Sequence, residues 1–333
     1  MRNNYNLDAS ETIFFERELE ELKSRSYDVL YAPLASTRLI PVDNTTFSGA
    51  TSVTYTQYDK TGSTNIIANY SDDLPLCDVR GKQITSNLVS IGNAFEISIQ
   101  DIRASVFAGK SLEQRKANSA AKAHLDRMNQ IAFYGEPSLN VNGWLNNSSL
   151  GRDTSNESVS NRTNTNPAIR PATGADSNID TKKVWENKTP TEILDDLNDA
   201  VTDIHDASNG VEYPDTIAMP ISRYQLIANT QMSPGSDTTI MQFFVRNNPS
   251  ITIEWANELK GAFNVPAGGL VNRGVDGFIV YTRSADKFWQ EIPQAFEMFP
   301  PQFNNLAYKV PCHSKHGGVI IAYPGSQAFR YGI

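Results

Sequence analysis

At 333 residues, with 20% charged and 10% aromatic side chains, the chain is long enough for two or three core units and is not a disordered polymer. A net charge of −8 with no basic tail argues against a protein built to grip nucleic acid, which shows as clustered Lys and Arg. No apolar run reaches the roughly 18 residues a membrane helix needs. Two cysteines, Cys77 and Cys312, are too few for a disulfide framework and fit a reducing compartment.

The first predicted element is an N-terminal helix opened by Asp8 and Glu11, with Phe15, Leu19 and Leu22 as its apolar stripe and Glu16, Glu18, Glu20 and Glu21 on the wet face. It packs on its own domain or serves as an arm on another subunit; the residues alone leave both open. No apolar signal core precedes it, so nothing directs the chain out of the cytoplasm. From Leu39 the texture turns to β. Residues 52–58 alternate, with Val53 and Tyr55 on one side and Thr54, Thr56 and Tyr58 on the other. Asp59-Lys60-Thr61-Gly62 reads as a turn, with residues 63–68 as the returning strand. So small a ribbon is marginal alone and must lie on its own body or on a neighbour. A further strand is predicted at 83–89 and a short helix at 99–107.

The longest element is a helix from Ser111 to Gly135, opened by Ser111 with Gln114 and closed by a glycine. Ala117, Ala121, Leu125, Met128 and Ala132 form its stripe; Arg115, Lys116, Lys122 and Arg127 lie elsewhere. At 1.5 Å per residue it is a rod of roughly 35 Å, suited to the spine of a thin subunit. Residues 146–187 are rich in Asn, Ser and Thr and read as a surface insertion without regular elements.

Thr189-Pro190-Thr191-Glu192 is a second capping box, and its helix turns Ile193, Leu197, Val201 and Ile204 inward, with Asp195, Asp199 and Asp203 as a solvated acidic stripe. Strands at 215–219, 251–255 and 277–282, with helices from Pro220 and Thr239, make a domain of helices packed on a sheet. The tail, 288–333, is mostly strand. The fold class is α+β.

The sequence has no phosphate loop, no GxGxxG after a strand, no HExxH and no GxSxG elbow. His313 and His316 lie between Pro311 and two glycines, with no third metal ligand nearby, and read as a polar strand or turn. Neither catalytic, cofactor nor metal residues are assigned, and the chain reads as no enzyme.

In order, residues 14–42 (FFERELEELKSRSYDVLYAPLASTRLIPV), 49–68 (GATSVTYTQYDKTGSTNIIA), 109–135 (GKSLEQRKANSAAKAHLDRMNQIAFYG), 189–227 and 291–327 resemble the major capsid proteins of tailed bacteriophages, which have the Hong Kong 97-type fold. The resemblance implies an N-terminal arm (1–38), an E-loop region (39–92), a peripheral domain with the spine helix and the polar insertion (93–188), an axial domain (189–290) and closing peripheral strands (291–333). It implies a shell protein that self-assembles as pentamers and hexamers into an icosahedral virion, assembled in the bacterial cytoplasm around double-stranded DNA. Implied partners are a portal protein at one vertex, packaged DNA without sequence specificity and, in some members, scaffold and cement proteins; no membrane is involved. Inter-subunit contact falls on Phe15, Leu19 and Leu22 of the arm and on Tyr55, Tyr58, Lys60 and Thr61 of the E-loop. Some members carry an isopeptide-forming lysine at the hairpin tip, where Lys60 is expected, though a charged turn residue is the commoner role. The nearest alternative is an encapsulin-type compartment, which shares the fold but lacks so long an arm. An enzyme or sugar-binding module on an α+β scaffold is the rival of another class.

Overall fold

The computed structural model describes residues 34–64, 76–108, 112–146, 165–167, 185–261, 276–331 and 333. The chain divides into a unit of residues 1–33 and a unit of residues 34–333. The first unit, with the expected arm helix and Phe15, Leu19 and Leu22, lies outside the described residues.

The second unit opens with a single helical turn, α1 (Ser36–Leu39), and a short strand, β1 (Val42–Asp43). Leu39 and Ile40 are fully buried. Two ten-residue strands follow, β2 (Ser52–Thr61) and β3 (Asp78–Asn87), paired antiparallel from Ser52↔Asn87 to Thr61↔Asp78. The ladder therefore runs through the expected turn at 59–62. The returning strand is 78–87 rather than 63–68, and Lys60 stands opposite Val79 within the ribbon rather than at its tip. The local turn signal of Asp-Lys-Thr-Gly yields to ten matched cross-strand positions, whose backbone hydrogen bonds a tight turn there would forfeit. β4 (Val89–Ser98) continues directly into α2 (Ile99–Ala108) and then into α3 (Leu112–Tyr134), the 23-residue spine.

The spine ends where Gly135 adopts φ 66° and its N–H bonds to the Ile131 carbonyl at 2.8 Å. A Cβ there would collide with the carbonyl of Val141, so the left-handed cap admits only glycine. The buried row on α3 is Ala120, His124, Met128, Ile131 and Ala132, while the expected Leu125 is 48% exposed. The helix sits about one position further round than the apolar pattern suggests, because His124 is fixed from outside. Its Nδ1 lies 2.7 Å from the Ser314 hydroxyl, and its ring meets Phe296 edge-on at 5.0 Å.

After a three-residue strand, β5 (Thr165–Pro167), comes α4 (Pro190–Ala207). Its capping box is complete: the Glu192 N–H donates to the Thr189 hydroxyl and the Thr189 N–H donates back to the Glu192 carboxylate at 2.7 Å. Strand β6 (Thr216–Met219), helices α5 (Ile221–Asn229) and α6 (Ile240–Asn247), and strands β7 (Thr252–Trp255) and β8 (Gly277–Tyr281) complete this part. With β14 (Gln327–Tyr331) they form a five-stranded sheet in the order β5-β14-β8-β6-β7. Strand alternation divides its apolar residues between two cores. Ile217, Met219, Phe278, Val280 and Ala328 meet Ile193, Leu197, Val201 and Ile204 of α4. Ala218, Ile279, Tyr281 and Phe329 face the other way, toward Leu39, Phe133, Trp144 and Phe288. Burial on both faces explains why residues 277–281 read as an unbroken apolar run.

The remaining strands are β9 (Phe288–Glu291), β10 (Gln294–Met298), β11 (Gln302–Asn304), β12 (Ala307–His316) and β13 (Val319–Ile321). β12 pairs with β4 over ten residues, from Ala307↔Ser98 to His316↔Val89, and that sheet carries the spine helix on one face. β9 lies between β1 and β13. Trp144 joins these parts. Its ring lies within 6.5 Å of Phe133, Tyr281, Phe288 and Phe329, and its indole N–H donates to Gln327 Oε1 at 2.8 Å.

Candidate functional site

The projecting feature is the β2–β3 ribbon. At about 3.3 Å per residue its ten pairs extend roughly 33 Å. Among the described residues, the ties to the body lie at the root. Tyr55 is half-buried: its hydroxyl donates to the Ile321 carbonyl at 3.3 Å, and its ring stands edge-on to Trp289 at 5.9 Å. Burial pushes the Tyr55 phenol up. The Ser86 hydroxyl donates to the Gly317 carbonyl at 3.2 Å and the Asn87 amide to the Leu139 carbonyl at 3.1 Å. Beyond this anchor Tyr58, Lys60, Thr61 and residues 78–83 are exposed and Gln57 is half-covered.

The alternation expected for 52–58 is present, with Val53 and Tyr55 toward the body and Thr54, Thr56 and Tyr58 away from it. On the outward face the Thr54 and Thr85 hydroxyls meet at 2.9 Å. Tyr58 is 68% exposed, yet its ring lies across Gly81: a Cβ at Gly81 would sit 3.2 Å from Tyr58 Cε1. An aromatic covering a cross-strand glycine stiffens a ribbon that otherwise has little to pack. Thr61 turns its hydroxyl to the Asp78 carbonyl at 3.4 Å. Just past the ladder Leu76 is 92% exposed, beside the exposed Cys77.

A second apolar surface lies where β11 turns into β12. The Phe303 and Tyr308 rings lie 5.3 Å apart, tilted at 59°, both open to solvent, with Leu306 at the turn. An exposed apolar patch of this kind marks a contact surface. The second surface does not announce itself in the sequence as more than ordinary loop and strand.

The ionisable groups do structural work. His316 is wholly buried; its Nδ1 accepts the Gly318 N–H at 2.8 Å, and burial pulls its pKa down to about 4. His124 is likewise lowered, first by burial and then by His313. The ion pair of Lys188 with Asp196 is almost fully enclosed, and Asp196 also accepts the Trp185 indole N–H at 2.9 Å. Burial raises the Asp196 carboxyl despite these partners. Of the acidic stripe expected to be solvated, Asp203 pairs with the buried Arg330. On the spine, Lys116 lies 3.2 Å from Asp101 and Lys122 lies 3.4 Å from Asp126, and Arg127 pairs with Glu136. These cations are matched by carboxylates of the same chain. Cys312 is buried, which pushes its thiol up. Among the described residues no group of His, Cys, Asp and Glu is arranged to hold a metal ion, and no helix is long and apolar enough to cross a membrane.

The sequence profile of the major capsid protein family matches residues 62–333. The chain belongs to that family. Its fold is the Hong Kong 97 type shared by solved phage capsids. The capsid of Myoviridae phage XM1 matches with a TM-score of 0.75 at 15% identity, over 97% of this chain and 99% of that one. The capsid of a native GTA particle gives 0.63 at 12%, over 95% and 96%. The capsid of cyanophage P-SCSP1u gives 0.59 at 13%, over 94% and 92%. Among curated proteins the sequence has no match. The protein is thus a structural capsid protein of the tailed-phage type, and the encapsulin alternative is disfavoured. As a capsid protein it is a virion component that assembles with copies of itself. In that light the ribbon is the family's E-loop and α3 its spine helix.

Proposed function

We propose that copies of this capsid protein close, as pentamers and hexamers, into an icosahedral shell around double-stranded DNA. A portal protein occupies one vertex, scaffold or cement proteins assist where they exist, and assembly takes place in the host cytoplasm. The chain performs no catalysis in this role. The residues divide into an arm (1–38), an E-loop region (39–92), a peripheral domain (93–188), an axial domain (189–290) and closing peripheral strands (291–333).

The observation that carries this reading is the ribbon. Two strands that extend past their own body, exposed on both faces, have no stable existence in water; a neighbouring copy supplies the missing surface. Tyr58, Lys60 and Thr61 belong to that overhang, and Phe15, Leu19 and Leu22 of the N-terminal segment form a second contact. Tyr55, held on Trp289, sets the angle at which the overhang leaves. The spine cations, paired within the chain, add little grip on phosphate, as suits a container that must release its contents.

The test is a variant in which residues 58–81 give way to Asn-Gly, closing the ladder at the Gln57–Lys82 pair with a two-residue turn. Soluble, folded subunits that form no closed shells in electron micrographs are expected. Normal particles would refute the role.

A further inference from the structure

The two ends of the ribbon reach the body in different ways. β3 passes through Leu88 straight into β4, whose pairing with β12 starts at Val89↔His316, so that end is fixed by a ladder. β2 is entered from β1 through residues 44–51, an irregular and mostly exposed loop. Inside the loop the Ala50 N–H donates to the Phe47 carbonyl at 3.0 Å. Among the described residues, the hydrogen bonds that tie 44–50 to the rest of the body come from one side chain. Lys315 Nζ donates to the Ser48 carbonyl at 3.0 Å and also to the Ala50 carbonyl.

Lys315 stands near the end of β12, is 8% exposed, and among the described residues forms no ion pair. A buried ammonium gives up hydration that carbonyl dipoles repay only in part, and an apolar side chain of similar length would cost the interior less. Packing therefore gives no reason for a charge here. What the charge does is draw two carbonyls of a surface loop to one point, just before the first ladder pair, Ser52↔Asn87. The other strand-root bonds end on the same short stretch: the Ser86 hydroxyl on the Gly317 carbonyl and the Tyr55 hydroxyl on the Ile321 carbonyl. That stretch is itself wedged in place. A Cβ at Gly317 would lie 2.5 Å from Leu88 Cδ2, and one at Gly318 would lie 2.1 Å from the Asn142 carbonyl oxygen.

Resting on the shell reading above, we propose that Lys315 is a positioning residue for assembly. Its ammonium, with the carbonyls of Gly317 and Ile321, makes residues 315–321 a seat that, together with Tyr55 on Trp289, fixes the angle at which the E-loop leaves the subunit. Without the ammonium the ribbon keeps its ladder and its continuity with β4 but pivots where the two meet. Over a lever of roughly 33 Å, a rotation of about 10° displaces the outer end by roughly 6 Å. A ribbon that has to be ordered while it docks weakens every joint between copies.

The test reads the angle directly on unassembled subunits. Cys77, exposed just past the ladder, takes one spin label, and Ala123→Cys on the exposed side of the spine helix takes the other; Cys312 is buried and stays unlabelled. Pulsed electron paramagnetic resonance then gives the distribution of distances between the labels. Lys315→Met keeps the stem and removes the charge. It should leave the circular dichroism unchanged, widen the distribution by roughly 6 Å or more and yield few closed shells. Lys315→Arg, which restores a cation with its donors, should recover part of the narrow distribution and of the shell yield. An unchanged distribution in Lys315→Met overturns the positioning role, whatever becomes of the shells. Subunits of that variant that do not fold overturn it too, since the charge would then serve the fold. A widened distribution with normal shells overturns the bearing on assembly and leaves the E-loop role to the shortened-ribbon variant. Hydrogen exchange on the native subunit gives a second reading without substitution. The Leu88 N–H, which donates to the Thr51 carbonyl at 3.0 Å, should be protected as well as the β4–β12 ladder and far better than the ribbon beyond Gln57. Equal exchange at root and overhang would mean that no seat exists.

Discussion

Replacing His316 by asparagine should flatten the dependence of subunit stability on acid. The imidazole is buried, its Nδ1 is occupied as an acceptor for the Gly318 N–H, and its Nε2 is enclosed without a partner. Protonation would place a charge where water cannot reach and would break the bond from Gly318. Burial accordingly holds the folded-state pKa near 4, against 6.5 for the ordinary group. Because the folded value is depressed, the unfolded chain takes up a proton first as pH falls. Stability is then constant above about pH 6.5, declines between about 6.5 and 4, and levels off below. At about 1.4 kcal/mol per unit the full amplitude is about 3 kcal/mol. Asparagine keeps an acceptor for Gly318 but does not titrate in this range. Urea unfolding of unassembled subunits, followed by circular dichroism from pH 7.5 to 4, gives the comparison. The native chain should lead at pH 7.5, because the variant leaves part of the ring's volume empty. That lead should shrink by about 3 kcal/mol on the way to pH 4. A native-minus-variant difference that stays constant across this interval would show that His316 is not held neutral by its surroundings. His124, lowered in the same direction, leaves its own slope in both proteins and cancels from the difference.

Two further substitutions probe the interior. Trp144→Phe retains an aromatic ring among Phe133, Tyr281, Phe288 and Phe329 but leaves Gln327 Oε1 without its donor. It should cost about 1–3 kcal/mol from the orphaned group plus the lost volume, and Gln327→Met in the Trp144→Phe background should recover part of this in a double-mutant cycle by urea unfolding. Lys188→Met strands the enclosed Asp196 carboxylate, with an expected loss of about 3–5 kcal/mol at neutral pH that diminishes as the acid is protonated; a pH-independent loss would mean that packing, not charge, holds that site.

How much of this the sequence disclosed depended on how local the cause was. The cap at Thr189–Glu192, the inward row of α4 and the left-handed glycine at 135 follow from interactions within a few residues, and all are present. The rotation of the spine helix was hidden because it is set by Ser314 and Phe296, nearly two hundred residues away. The ribbon's second strand was read only in part, as a further strand at 83–89 not assigned to the ribbon, for a related reason. Residues 78–82 are polar and include Gly81, and their place in the strand rests on matching residues 57–61, not on a pattern of their own. The shell contacts were legible as elements needing a partner. Which residues of the two strands share a face had to wait for the register, which assigns Lys82 and Lys60 to opposite sides.

The pairing of β4 with β12, and of β1 with β9, also fixes an order of events during synthesis. Ile40 meets Gln290 across a separation of 250 residues. At about 5–20 residues per second that is a wait of roughly 10–50 s on the ribosome. Throughout that interval the spine helix lacks the strand carrying Ser314, and the sheet that anchors Tyr55 has not been made. A nascent chain therefore has no finished footing from which to extend its ribbon toward another copy. Completion of each building block precedes its entry into the lattice, and the clock that enforces the sequence is the position of the last strands in the gene.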